Sequence, residues 1–87
     1  MNSTDKRIIR LIELLIFQRR ISSAREFCLE IEMFEQTISK IKKGSAHFTV
    51  TQIGEICKRF NVNANWIHGI DTKVFNTPIS IEINDVF

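Results

Sequence analysis

Between Ser23 and Gly44 the chain has room for little except two short helices joined by a tight turn. Ser23-Ala24-Arg25-Glu26 has the spacing of a capping box, in which the serine hydroxyl accepts the third backbone N–H while Glu26 reaches back to the cap. Phe27, Cys28 and Ile31 then set an apolar stripe at helical spacing. A turn is expected around Glu32-Met33-Phe34. The second helix reads 35–43 and stops at Gly44, where a left-handed C-cap meets no Cβ penalty. Ile38 and Ile41, three apart, face inward, which leaves Gln36, Thr37, Ser39, Lys40 and Lys43 pointing outward. That outward face has no apolar stripe, so it is free to meet solvent or a ligand.

Further helices flank the pair. Over residues 5–18, Ile8, Leu11, Ile12, Leu15 and Ile16 follow the i, i+3, i+4, i+7, i+8 pattern, with Lys6, Arg7, Arg10 and Glu13 on the remaining surface. Ile9, Leu14 and Phe17 widen the apolar arc beyond what one small core needs. Either this helix is largely buried or one edge meets a partner subunit. After the loop Gly44-Ser45-Ala46-His47-Phe48, Thr49 and Gln52 make a second capping box, and Ile53, Ile56, Cys57 and Phe60 form the stripe of a fourth helix. Asn61-Val62-Asn63 supplies a turn with an Asn cap. Residues 64–68 make a short fifth helix closed by Gly69, with Trp66 and Ile67 at the bottom of the core.

The fold expected is therefore all-α, with five helices over residues 1–69 and a C-terminal extension over 70–87 that ends in a β-like tail. In that extension Asn76-Thr77-Pro78 is a breaker, and residues 79–84 alternate Ile-Ser-Ile-Glu-Ile-Asn as a half-buried strand does. A lone strand cannot satisfy its backbone groups. One expectation is that the tails of two subunits pair antiparallel across a two-fold axis; the other is a tail lying irregularly over the helical body.

Eighty-seven residues suffice for one modest core, and 44% apolar with 25% charged residues is the balance of an ordinary soluble globular protein. A net charge of +2 is too small to argue for nucleic acid from the whole chain. The distribution says more. Eleven of the twelve Lys/Arg residues precede Gly69, and between Gln36 and Phe60 five basic side chains accompany a single acid, Glu55. Cys28 and Cys57 form no C-x-x-C pair and read as small hydrophobes on helix faces. The apolar run 11–17 is broken by Glu13 and ends in Gln18-Arg19-Arg20, unlike a signal peptide, and no stretch approaches the ~20 apolar residues that span a bilayer. A cytoplasmic location without membrane contact is the default. His47 and His68 have no partner at metal-ligand spacing, and neither a glycine-rich phosphate loop nor a Ser-His-Asp order is present, so no metal, cofactor or catalysis is expected.

Five helices in this order, with the helix pair second and third, resemble the lambda-repressor-like (Xre-type) helix-turn-helix domains over roughly residues 6–69. The resemblance is carried by Glu26-Phe27, by Thr37-Ile38-Ser39-Lys40-Ile41 with Gly44, and by Asn61-Val62 with Asn65-Trp66-Ile67. It implies a sequence-specific, repressor-like transcriptional regulator that binds double-stranded DNA as a homodimer. The third helix would lie in the major groove and the start of the second against the backbone. By position, Glu35, Gln36, Thr37 and Lys40 would face the bases. The chemistry agrees: glutamine can bond adenine bidentately, lysine can donate to guanine, and a threonine methyl can meet a thymine methyl. Ser22, Ser23, Arg25, Ser39, Lys42, Lys43, Ser45 and His47 are better suited to phosphate, with Arg19 and Arg20 joining them if they face the same way.

Two positions depart from the family pattern. Glu32 stands where the turn usually has glycine, so the turn must form without glycine's freedom, at ~1 kcal/mol. Phe34 replaces the usual small polar cap of the third helix, leaving that helix end uncapped and a large ring near the expected DNA surface. The ring could pack against the turn, touch a sugar or thymine methyl, or mark a face that binds protein. Glu35 suits a helix N-terminus but would repel phosphate, although it can accept from cytosine N4. The alternative function is accordingly a protein-interaction module on the same scaffold, such as an antitoxin or anti-repressor partner, using Phe34, the acidic turn and the tail.

Overall fold

The structure, a computed structural model, describes residues 1–76. Five α-helices follow in order: α1 (Ser3–Phe17), α2 (Ala24–Glu30), α3 (Glu35–Lys42), α4 (Val50–Phe60) and α5 (Ala64–Ile67). The expected strand over 79–84 and its pairing between subunits lie outside the described residues. Among those described, no helix is long and apolar enough to cross a membrane.

The α1 helix begins earlier than its apolar pattern implies because Asn2 caps it, the side-chain carbonyl accepting the Asp5 N–H at 2.8 Å. Ile8, Leu11, Ile12 and Leu15 are buried along it and meet Phe27 and Cys28 of α2, Ile38 and Ile41 of α3, Ile56 and Phe60 of α4, and Ile67 of α5. Full burial of such side chains contributes ~1.5–3 kcal/mol each. The α1 helix packs on α2 and α5, α2 packs on α3, and α4 packs on α5. The Phe27 and Phe60 rings, stacked with centroids 5.4 Å apart, tie α2 to α4. Trp66 is half-buried against the same cluster. The wide arc of α1 is only partly covered: Ile9 and Leu14 are half-buried, while Ile16 and Phe17 are exposed.

All five helices end with one device. A residue in the left-handed region follows the last turn, and the next N–H bonds to the carbonyl five residues back, the 6→1 bond of a Schellman motif. The left-handed residues are Arg19, Glu32, Gly44, Asn61 and Gly69. The matching bonds run from Arg20 to Leu15, Met33 to Cys28, Ser45 to Lys40, Val62 to Cys57 and Ile70 to Asn65, at 2.7–3.1 Å. Glycine takes this conformation freely and asparagine tolerates it, but arginine and glutamate are strained by about 1–2 kcal/mol.

Beyond Gly69 the chain turns back onto the body. Asn63 N–H donates to the Val74 carbonyl at 2.8 Å, Asn76 N–H to that of Asn61 at 3.0 Å, and Val62 bridges Phe75 antiparallel. Val74 and Phe75 pack against the core, so contact with the helical body continues past residue 69. Asp71 organises this return. Its carboxylate accepts the Lys73 and Thr72 N–H groups and the Asn63 amide, and these bonds, that of Lys73 foremost, hold its pKa below the ordinary 3.8.

Candidate nucleic-acid interface

The α3 helix sits on the body through Ile38 and Ile41, 6% and 0% exposed. Opposite that anchor, Gln36, Ser39, Lys40 and Lys43 follow i, i+3, i+4, i+7 and form one exposed ridge. Glu35 and Lys42 are exposed on one flank, Lys42 bordering α1, and Thr37 is half-buried on the other. The four residues expected to face bases therefore do not share one line. Gln36 and Lys40 crown the ridge, whereas Glu35 and Thr37 stand on opposite shoulders. Three lysines, Lys40, Lys42 and Lys43, surround the C-terminal turn, where they complement the negative end of the helix dipole.

Phe34 occupies the N-cap of α3, and no side chain caps that end; only its carbonyl is engaged, by the Thr37 N–H at 3.0 Å. The ring is 80% exposed and so does not pack against the turn. Leu29, the penultimate residue of α2, is 69% exposed. Glu32 between them has φ 57°, the left-handed geometry that its position in the turn requires. Glu35 lies close enough to Cys28 to raise its thiol pKa from 9.0, secondary to burial, and burial alone raises that of Cys57. Both cysteines are free, Cys28 buried and Cys57 half-buried.

At the start of α2, Ser23 caps as expected, its hydroxyl oxygen accepting the Glu26 N–H at 3.3 Å. The Glu26 carboxylate reaches one residue further back than the capping-box spacing implied and accepts the Ser22 N–H. Ser22 and Arg25 are exposed. The loop after α3 is more constrained than the sequence indicated. Ser45 donates its hydroxyl to the Lys40 carbonyl at 3.1 Å, which leaves its oxygen as an acceptor rather than a donor toward phosphate. His47 turns toward α1, with Nδ1 2.6 Å from Asp5 Oδ2, so only the other ring nitrogen could meet a phosphate.

Asp5 is the residue that sequence reasoning missed. It is 1% exposed, and its other oxygen accepts the Phe48 N–H at 3.1 Å, so one buried carboxylate ties the first turn of α1 to the loop behind α3. The signal was available, since positions 5, 8, 12 and 15 share one helix face and the last three are core. Arg20, a backbone-contact candidate only if it faced the same way as α3, is engaged within the fold. Its guanidinium donates to the Phe60 carbonyl at 3.1 Å and lies 4.9 Å from the Phe75 ring centroid, binding α1, α4 and the returning segment together. Arg59 pairs with Glu55 at 3.5 Å and with Glu30 at 4.0 Å, so one of the five basic side chains between Gln36 and Phe60 is already partnered by carboxylates.

Among the described residues, no three His, Cys, Asp or Glu side chains converge as metal ligands. Comparison with family models, characterised proteins and solved structures gives no match to this chain.

Proposed function

We propose that the chain is a sequence-specific DNA-binding regulator of the lambda-repressor-like helix-turn-helix kind, acting in the cytoplasm as a repressor-like homodimer. The observation that carries this reading is the α3 ridge of Gln36, Ser39, Lys40 and Lys43, held outward by two buried isoleucines. In the major groove, Gln36 and Lys40 would read adenine and guanine edges, with Glu35 and Thr37 reaching bases on either side. Lys42, Lys43, Ser39, Arg25 and the serines before α2 would hold phosphates. Selection of sites from a random duplex library, followed by titration of the winner at several salt concentrations, tests this. An enriched inverted repeat whose affinity falls steeply with salt supports a dimeric regulator. No enrichment, with only weak salt-sensitive binding, refutes it.

One observation favours a second reading. Phe34 and Leu29 are exposed beside Glu30, Glu32 and Glu35, a composition closer to a protein-docking surface than to a phosphate-facing one. On that reading the chain is an interaction module, such as an antitoxin or anti-repressor partner. A stoichiometric protein partner that masks α3, recovered in a pull-down and lost with Phe34→Ser, would select it over DNA binding.

A further inference from the structure

Ser3, Lys6, Arg7 and Arg10 line a polar hollow of about 190 Å³ on the outer face of α1. Steps of three and four bring them onto one side of the helix. That side lies about a third of a turn round α1 from Ile9 and Ile16, which border Ala24 and Ile38. Ser3, Lys6 and Arg10 are exposed, and Arg7 is half-buried. The Arg7 guanidinium rests so close to Gly69 that a Cβ there would meet it at 3.0–3.2 Å. The glycine that closes α5 therefore also leaves room for one wall of the hollow.

Three cations share this hollow without a counter-charge. Among the described residues, none of Lys6, Arg7 and Arg10 forms an ion pair. Asp5 is committed to His47 and Phe48, and Glu13 borders the flank beside Lys42. Like charges three and four apart destabilise a helix, and cations close to its first turn oppose the helix dipole. Both effects reverse once an anion sits among these side chains.

We propose that the hollow is a binding site for the phosphate group of a ligand. Its three cations match the near-double charge of a phosphate ester, whose tetrahedral oxygens can accept from two guanidinium forks, an ammonium and the Ser3 hydroxyl together. A carboxylate brings a single charge and two oxygens in one plane, which leaves part of that donor set unused. The phosphate belongs either to a small phosphorylated molecule or to a nucleic-acid backbone. The site does not depend on base reading by α3.

Titration of the full chain with pyrophosphate at constant ionic strength, followed by amide NMR, tests the site. The amides of residues 3–10 and the Arg10 side chain should shift and saturate, at concentrations that leave the amides of Lys40, Lys42 and Lys43 in place. Those three lysines carry the same formal charge without a guanidinium, so they report simple charge attraction. Arg10→Gln should weaken binding about tenfold or more, the loss expected of one charge-assisted hydrogen bond, and Lys6→Gln should weaken it as well. A short duplex that displaces pyrophosphate assigns the site to a nucleic-acid backbone; one that leaves it bound assigns the site to a small phosphorylated molecule. Equal, unsaturated drift at both clusters overturns the proposal, as does undiminished affinity in Arg10→Gln.

Discussion

Glu32 and Gly44 hold the same place in two successive helix endings: each is the left-handed residue after its helix, at φ 57° and 83°, and each is followed by a 6→1 bond. Only Gly44 is built for that geometry. Glu32→Gly should therefore raise unfolding free energy by ~0.5–1 kcal/mol, the relief of left-handed strain less the added entropy of glycine in the unfolded chain. Gly44→Ala should lower it by about 1 kcal/mol, since it imposes that strain. Urea titration of the two variants measures both, and a destabilised Glu32→Gly would show that the glutamate side chain makes a contact outweighing its strain.

The Asp5 carboxylate is the sole partner of the Phe48 N–H and the anchor of His47. Asp5→Ala should destabilise the fold by ~1–3 kcal/mol, because it leaves a buried N–H unpaired. His47→Ala should cost less, its ring being 60% exposed. Thermal unfolding of both variants checks the order; equal losses would place the energy in the His47 contact rather than in the buried amide.

On the DNA reading, Lys40 and Lys43 lie on one ridge but do different work. Lys40→Ala should lose ~1–3 kcal/mol on the selected site and little on scrambled duplex, while Lys43→Ala should weaken both alike and reduce the salt slope by about 1. Titrations on the two duplexes decide it, and equal losses for Lys40→Ala would contradict its base-reading role.

Both thiol pKa values stand above 9.0, chiefly through burial, so little thiolate exists near pH 8. A disulfide reagent at that pH should label half-buried Cys57 slowly and Cys28 only as the protein unfolds, with the Cys57 rate climbing as pH rises. Prompt labelling of Cys28 in the native state would mean that α2 opens locally.

Asp71 titrates below its ordinary 3.8, so its bonds to Lys73, Thr72 and Asn63 add stability above that value and lose it as pH falls through the lower folded pKa. The Asn63 and Lys73 amide resonances should therefore report a titration midpoint under 3.8, absent in Asp71→Asn. A midpoint at or above 3.8 would mean that the turn is not formed in solution.

Helix locations and most of their starts were legible because they depend on neighbours a few positions away. The Thr49–Gln52 capping box is complete, at 3.1 and 2.9 Å, Ser23 and Asn63 cap as read, and Gly44 and Gly69 close their helices. The family resemblance, rather than local pattern, marked Phe34 as an absent cap and Glu32 as a strained turn. The sequence leaves open whether the Phe34 ring packs against the turn or stands free, because that depends on what the remaining helices leave uncovered; the ring stands 80% exposed.

Amphipathic spacing and capping chemistry by themselves determined five helices, their faces, and an α3 that turns polar and basic side chains away from Ile38 and Ile41. Only the tertiary structure decided that Asp5 is a buried tie to His47 and Phe48, that Ser45 spends its hydroxyl proton on Lys40, and that Arg20 braces Phe60 and Phe75. All but the Ser45 bond join positions 40 or more residues apart, and Ser45 is settled by the geometry of its helix ending. No periodicity encodes such pairings. A buried or turn-bound polar group must find a partner when the helices assemble, and which group it meets is set by their packing in space.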